Sequence, residues 1–207
     1  MTPEAHAHLQ RRCSGMRKLI RIHGPCELEP DASRTPFQSL VSAVAHQQLH
    51  GKAAETILKR FRALFGNRMP SAEKLASADD EALRGCGFSR AKVASLRDIA
   101  AKTIQGIVPG SREIAKLSDD EIIARLVSVR GVGRWTVQML LIFKLGRPDV
   151  LPADDYGVRA GFQHVFAKDE LPSPKEVLSY GERWRPYATT AAWYLWRAAD
   201  AAKEVKS

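Results

Sequence analysis

Apolar positions recur along this chain at intervals of three and four, and no stretch alternates apolar and polar residues long enough for a half-buried strand. The pattern predicts about nine or ten helices in succession and an all-α protein. Most starts are chemically marked. Thr35-Pro36-Phe37-Gln38 supplies a cap, a proline at the first helical position and a glutamine three after the cap, so a helix runs through FQSLVSAVAHQQ. A second covers Lys52 to Phe65 and stops at Gly66-Asn67. Ser77 starts a third with acids in its first turn, and Ser89 opens SRAKVASLRDIAAKTI. Ser118 and Glu121 form a capping box for IIARLVSV. Arg134 to Leu145 is closed by Gly146-Arg147-Pro148, Asp155 opens a short helix, Ser173 caps the next, and Thr189 to Lys203 is the last. Proline and glycine fall at boundaries, with no linker and no fixed-period repeat.

Length adds that 207 residues make one domain, or one domain with two lobes. Lys plus Arg total 32 against 23 Asp plus Glu, a net charge of +9. That excess suits a polyanionic partner, and equally a merely basic soluble protein. Three cysteines, widely spaced, exclude a disulfide framework, a four-cysteine zinc site and a four-cysteine iron–sulfur cluster. No apolar run approaches the ~20 residues of a membrane span, and MTPEAHAHLQRR has no apolar signal region. A soluble protein of a reducing compartment is expected.

The most informative segment is Ser128-Val-Arg-Gly-Val-Gly-Arg-Trp-Thr136, where one helix ends and another begins. Gly131 and Gly133 permit a tight hairpin and close backbone approach. Outward amides at the start of the next helix, its macrodipole, and the charges of Arg130 and Arg134 together make an anion site that a DNA phosphate fits. Gly-x-Gly alone is equally an ordinary helix stop with a tight turn.

GVGRWTVQMLLIFKLGRPDVLPADDYGVRAGF resembles the helix–hairpin–helix DNA glycosylases, most of all their DNA-3-methyladenine glycosylase II branch. SAVAHQQLHGKAA, GFSRAKVASLRDIA and GERWRPYATTAAWYLWRA resemble other segments of that family, so the likeness runs from Thr35 to Ala199. It implies the compact, all-α, two-lobed form of the fold with an active-site cleft between lobes. Residues 1–34 and 166–207 are expected to form the terminal lobe, and 35–165 the central lobe with its helix–hairpin–helix at about 117–146. The resemblance also implies a monomer acting on double-stranded DNA that contains alkylated bases, in the bacterial nucleoid or a eukaryotic nucleus. No essential metal or cofactor is expected, although a monovalent cation at the hairpin carbonyls is implied. The early part of the chain is too short and too helical for the N-terminal β-domain some members carry. Trp135 stands where lyase-active relatives have lysine, and a Schiff base needs an amine there, so a monofunctional glycosylase is expected.

Breaking an N-glycosidic bond builds positive charge on the sugar, which a carboxylate stabilises. The resemblance assigns that role to Asp155, which by itself also reads as a helix cap. Asp154 is expected to face solvent or assist the cap. A base enzyme flips its target from the duplex. Trp135 and Trp196 match the pocket aromatics, with Tyr187 and Trp184 as further candidates, electron-rich faces suiting a cationic purine better than acids do. Trp184 and Trp193 read as core. Gln48-Leu49-His50 resembles the turn that wedges into DNA, Leu49 reading equally as a core contact. Thr136 is grouped with the phosphate-binding hairpin. His46 and His50, four apart, lack a third metal ligand at useful spacing. His6 and His8 are expected in a mobile N-terminal stretch. Arg84, Arg90, Lys92 and Arg97 read as a solvated basic face or a DNA backbone contact. The alternative to a glycosylase is a non-catalytic helix–hairpin–helix DNA-binding module.

Overall fold

The computed structural model describes residues 2–49 and 51–204, among which there are helices and no strand. In chain order the helices are α1 (Pro3–Arg12), α2 (Ser14–His23), α3 (Pro36–His46), α4 (Gly51–Leu64), α5 (Ala72–Ser77), α6 (Asp80–Gly85) and α7 (Arg90–Ile104). They continue with α8 (Ser111–Ile114), α9 (Asp119–Leu126), α10 (Arg134–Phe143), α11 (Tyr156–Val165), α12 (Pro174–Gly181) and α13 (Ala188–Glu204). The capping boxes form as expected. Gln38 and Thr35 bond reciprocally at the start of α3, and Ser118 and Glu121 do so at α9. Ser89 and Ser173 cap α7 and α12 through the Lys92 and Glu176 amides.

Elsewhere the starts differ. Asp79, not Ser77, caps α6, accepting from the Ala82 amide at 2.8 Å, and a separate α5 precedes it. Helices α5 and α8 have six and four residues, too short for a 3.6-residue period to register. Helices α1 and α2 start without side-chain caps, which removes the start signal. The mobile N-terminal stretch is therefore corrected to a packed helix with Ala5 and Leu9 buried. His6 Nε2 accepts from the Cys26 amide at 3.2 Å, and His8 Nε2 lies 3.2 Å from the Arg183 carbonyl.

Two compact units result, Met1–Pro30 with Leu141–Ser207, and Asp31–Leu140. This corrects the expected division at 34/35 and 165/166. The second boundary moves to Leu141 because α11 packs along α13. A Cβ at Gly161 would lie 1.9 Å from the Leu195 carbonyl oxygen, so only glycine lets α11 approach the α13 backbone this closely. In this terminal unit Phe162 meets the edges of Tyr180 and Trp184, and the Tyr194 hydroxyl donates to the Gly24 carbonyl at 2.7 Å. In the central unit α7 is the hub, packing against α3, α5 and α6 through Val93, Leu96 and Ile99.

Two of the four cations assigned to a solvated face are instead structural. Arg97 donates to the Leu75, Ala76 and Ala78 carbonyls at the end of α5 and pairs with Asp80. Lys92 Nζ donates to the Ala45 carbonyl at 3.0 Å, and burial lowers its pKa. Both place positive charge where helix carbonyls end. Arg84 and Arg90 are exposed.

Candidate functional site

The hairpin is built from backbone and held by side chains of its own unit. Val129 and Val132 are buried and pin its two ends, while Arg130, Gly131, Gly133 and Arg134 are exposed. The Val132 amide closes the turn onto the Val129 carbonyl at 3.0 Å, and the Val137 amide bonds back to the Gly133 carbonyl as α10 starts. Gly131 has φ +76°, and a Cβ there would sit 2.4 Å from Ser95 Oγ, so both conformation and space demand glycine. Gly133 differs. A Cβ there meets nothing within 4 Å, so folding does not require its smallness. Thr136, expected among the phosphate contacts, lies in the first turn of α10 and is only 5 % exposed, lining a cavity with Trp135 and Met139.

The presumed wedge turn lies in the same unit. Gln47 ends α3, and its Nε2 donates to the Gly131 carbonyl at 2.8 Å, tying this turn to the hairpin. Gln48 has φ +58°. Leu49 is 40 % exposed, which rules out the core reading of this residue. His50 lies outside the described residues. His46 is engaged locally, Nδ1 lying 2.8 Å from the Ser42 carbonyl and Nε2 3.5 Å from Glu55. Among the described residues no group of three or more His, Cys, Asp or Glu side chains is placed to hold a metal ion.

In the terminal unit Asp155 caps α11, Oδ1 accepting from the Val158 amide at 2.9 Å. The same oxygen accepts from Trp196 Nε1 at 2.8 Å. A Cβ at Gly157 would lie 2.8 Å from Trp196, so the glycine after Tyr156 makes room for that indole. Phe143 stacks on Trp196 with centroids 5.6 Å apart and planes 26° from parallel. These groups line a cavity of about 650 Å³, within the range of small-molecule sites. Asp154 is exposed, as expected.

The other pocket aromatics distribute differently. Trp135, 45 % exposed, lines a second cavity of about 610 Å³ within the central unit, with Gln48, Lys92 and Met139. Tyr187 meets the ring of His8 edge-on at 5.4 Å and does not line the Asp155 cavity. Trp184 is fully buried, as expected for core. Trp193, expected as core, is half-buried and lines the Asp155 cavity. Sequence reasoning missed Glu27 and Glu29, two acids on the wall of that cavity, and Phe143. The acids carry no local signal, since they lie more than 120 positions from Asp155. Arg197 and Lys203, also lining it, both pair with Asp200, at 3.1 and 3.7 Å.

Comparison with known proteins adds an independent line. Residues 41–186 match the family model described as HhH-GPD superfamily base excision DNA repair protein. The chain is 40% identical over 207 residues to DNA-3-methyladenine glycosylase 1 of Schizosaccharomyces pombe, covering 98% of this chain and 90% of that one. The solved 3-methyladenine DNA glycosylase of that yeast, in complex with abasic DNA, superposes with a TM-score of 0.84 over 94% of this chain and 95% of that one. A DNA-3-methyladenine glycosidase from Bacillus halodurans superposes with a TM-score of 0.88 at 33% identity, over 98% and 92% of the two chains.

Proposed function

This chain belongs to the HhH-GPD superfamily of base excision DNA repair proteins, and from that membership we propose that it is a monofunctional DNA glycosylase for alkylated purines. It flips 3-methyladenine and related bases from duplex DNA and hydrolyses their N-glycosidic bonds. Its place is with the DNA it repairs, in a nucleoid or nucleus. The observation that carries the reading is Asp155, oriented by two donors on the wall of the 650 Å³ cavity and flanked there by Trp196 and Phe143.

In the reaction the bond between the sugar C1′ and the base nitrogen breaks, and both its electrons leave with the base. A methylated purine already carries a positive charge, so it departs neutral without a proton from the protein. The positive charge passes to the sugar, where the Asp155 carboxylate stabilises it. A water oxygen then bonds to C1′ and loses its proton to solvent or to Asp155. Donation from Val158 N and Trp196 Nε1 to Oδ1 fixes the Asp155 carboxylate in direction. The Trp196 and Trp193 rings offer π faces to the cationic base, each such contact worth about 0.5–2 kcal/mol. Trp135 at the hairpin offers no amine, which supports hydrolysis without strand cleavage.

The hairpin holds the DNA backbone. Exposed Gly133, which the fold leaves sterically free, supports close approach of a phosphate between Arg130 and Arg134. Gln48 and Leu49, exposed at the end of α3, fill the space of the flipped base. No cofactor takes part. A monovalent cation at the hairpin carbonyls would meet the Lys102 ammonium at Ser128, whose oxygen that ammonium already uses.

The test is release of free bases from methylated duplex DNA, resolved by chromatography, by the wild type and by Asp155→Asn. Release by the wild type alone is expected. A wild type that binds DNA and releases nothing would instead make the chain a binding module.

A further inference from the structure

Three residues on one face of α7 grip the hairpin from behind. Ser95, Asp98 and Lys102 are spaced three and four apart and so lie along one helix stripe. Ser95 Oγ packs under Gly131. Asp98 Oδ2 accepts from the Arg130 amide at 2.7 Å. Lys102 Nζ donates to the Ser128 carbonyl and pairs with Asp98 at 3.3 Å. One carboxylate thus takes an amide of the turn, one ammonium takes a carbonyl two residues earlier, and the two charges hold each other in place. Both side chains are largely covered, 30% and 20% exposed, so screening by salt is weak.

We propose that Asp98 and Lys102 are a positioning pair that holds the hairpin in its DNA-binding shape, so that an acidic side chain, through the acceptor it gives the Arg130 amide, raises the affinity of this protein for DNA although its charge opposes it. The inference rests on the reading that the hairpin binds the DNA backbone. Its sign is opposite to that of simple electrostatics. An acid beside a polyanion repels it, and removing only the charge should tighten binding. An acid that fixes the turn strengthens binding by sparing the complex the entropy of ordering the loop.

Two substitutions separate these effects. Asp98→Asn removes the charge and keeps an acceptor for the Arg130 amide. Asp98→Ala removes both. Affinity for an undamaged fluorescent duplex is measured by anisotropy at fixed salt, with hydrogen exchange of the Arg130 amide followed in the same proteins. Asp98→Ala is expected to bind several-fold more weakly and to exchange faster, while Asp98→Asn binds at least as tightly as wild type and protects the amide. Equal tightening in both variants would overturn the proposal, leaving Asp98 as a repulsive charge only. Lys102→Met is expected to weaken binding without changing the slope of log K against log salt. A slope shallower by about 0.9 would make Lys102 a direct phosphate contact and remove it from the pair. Gly133→Asp serves as control. Unaltered binding in that variant overturns the hairpin reading itself, whatever the Asp98 series shows.

Discussion

The two units present their chemistry in opposite ways. In the central unit the candidate site is backbone, a contiguous turn from Ser128 to Arg134 whose side chains either anchor inward or carry charge outward. In the terminal unit it is side chain, with Asp155, Trp196, Phe143, Glu27 and Glu29 brought to one cavity from four separate segments. On the proposed function the difference follows from what each site would handle. A phosphate repeats identically along DNA, and amides at a helix start serve it at any sequence. A flipped base and a developing sugar cation are particular in shape and charge, and need π faces and a carboxylate set at fixed distances.

That contrast predicts a double dissociation, whose largest arm is Asp155→Asn. It should lower base release by about 100-fold or more, the usual scale for losing a charge-stabilising group, while duplex affinity stays unchanged. Single-turnover release and anisotropy check the two halves, and a loss of affinity in this variant would break the separation. Trp196→Phe comes next. It keeps an aromatic ring and deletes the donor to Asp155, removing a hydrogen bond to a charged group worth about 1.5–3 kcal/mol, so roughly 10- to 100-fold in the chemical step is expected with little change in DNA affinity. Equal release by Trp196→Phe and wild type would show that the indole serves only as a face.

Gly133→Asp is the converse arm. It should fold normally, since a side chain there meets open space, and bind damaged and undamaged duplexes more weakly by the same factor, with base release from saturated complex retained. Gly161→Ala tests packing alone. Its Cβ would overlap the Leu195 carbonyl, an overpacking cost of about 1–3 kcal/mol or more, read as a lower thermal midpoint. The smallest effect belongs to Tyr187→Phe. Tyr187 faces His8 and not the Asp155 cavity, so release rates should match wild type. A clear drop would return Tyr187 to the base pocket.

What the chain alone determined was local. Thr35 with Gln38, Ser118 with Glu121, and Asp155 all appear in the sequence as caps and act as caps, because a cap joins groups within three residues. The turn itself was legible for the same reason, since Gly131, Val132 and Gly133 are neighbours and the Val132 amide closes onto Val129, whereas the grip of Gln47, Asp98 and Lys102 on it was not. Short α5 and α8, the uncapped α1 and α2, and the Leu141 boundary were not, because packing rather than periodicity sets them. Only the tertiary structure decided that Arg97 ties α5 rather than meeting solvent, that Thr136 is buried and that Tyr187 meets His8. It alone set the Trp196 indole on Asp155 across 41 positions and the Asp98 carboxylate under the Arg130 amide across 32. Hydrogen bonds of that reach are specified by how whole helices pack, and no spacing along the chain encodes them.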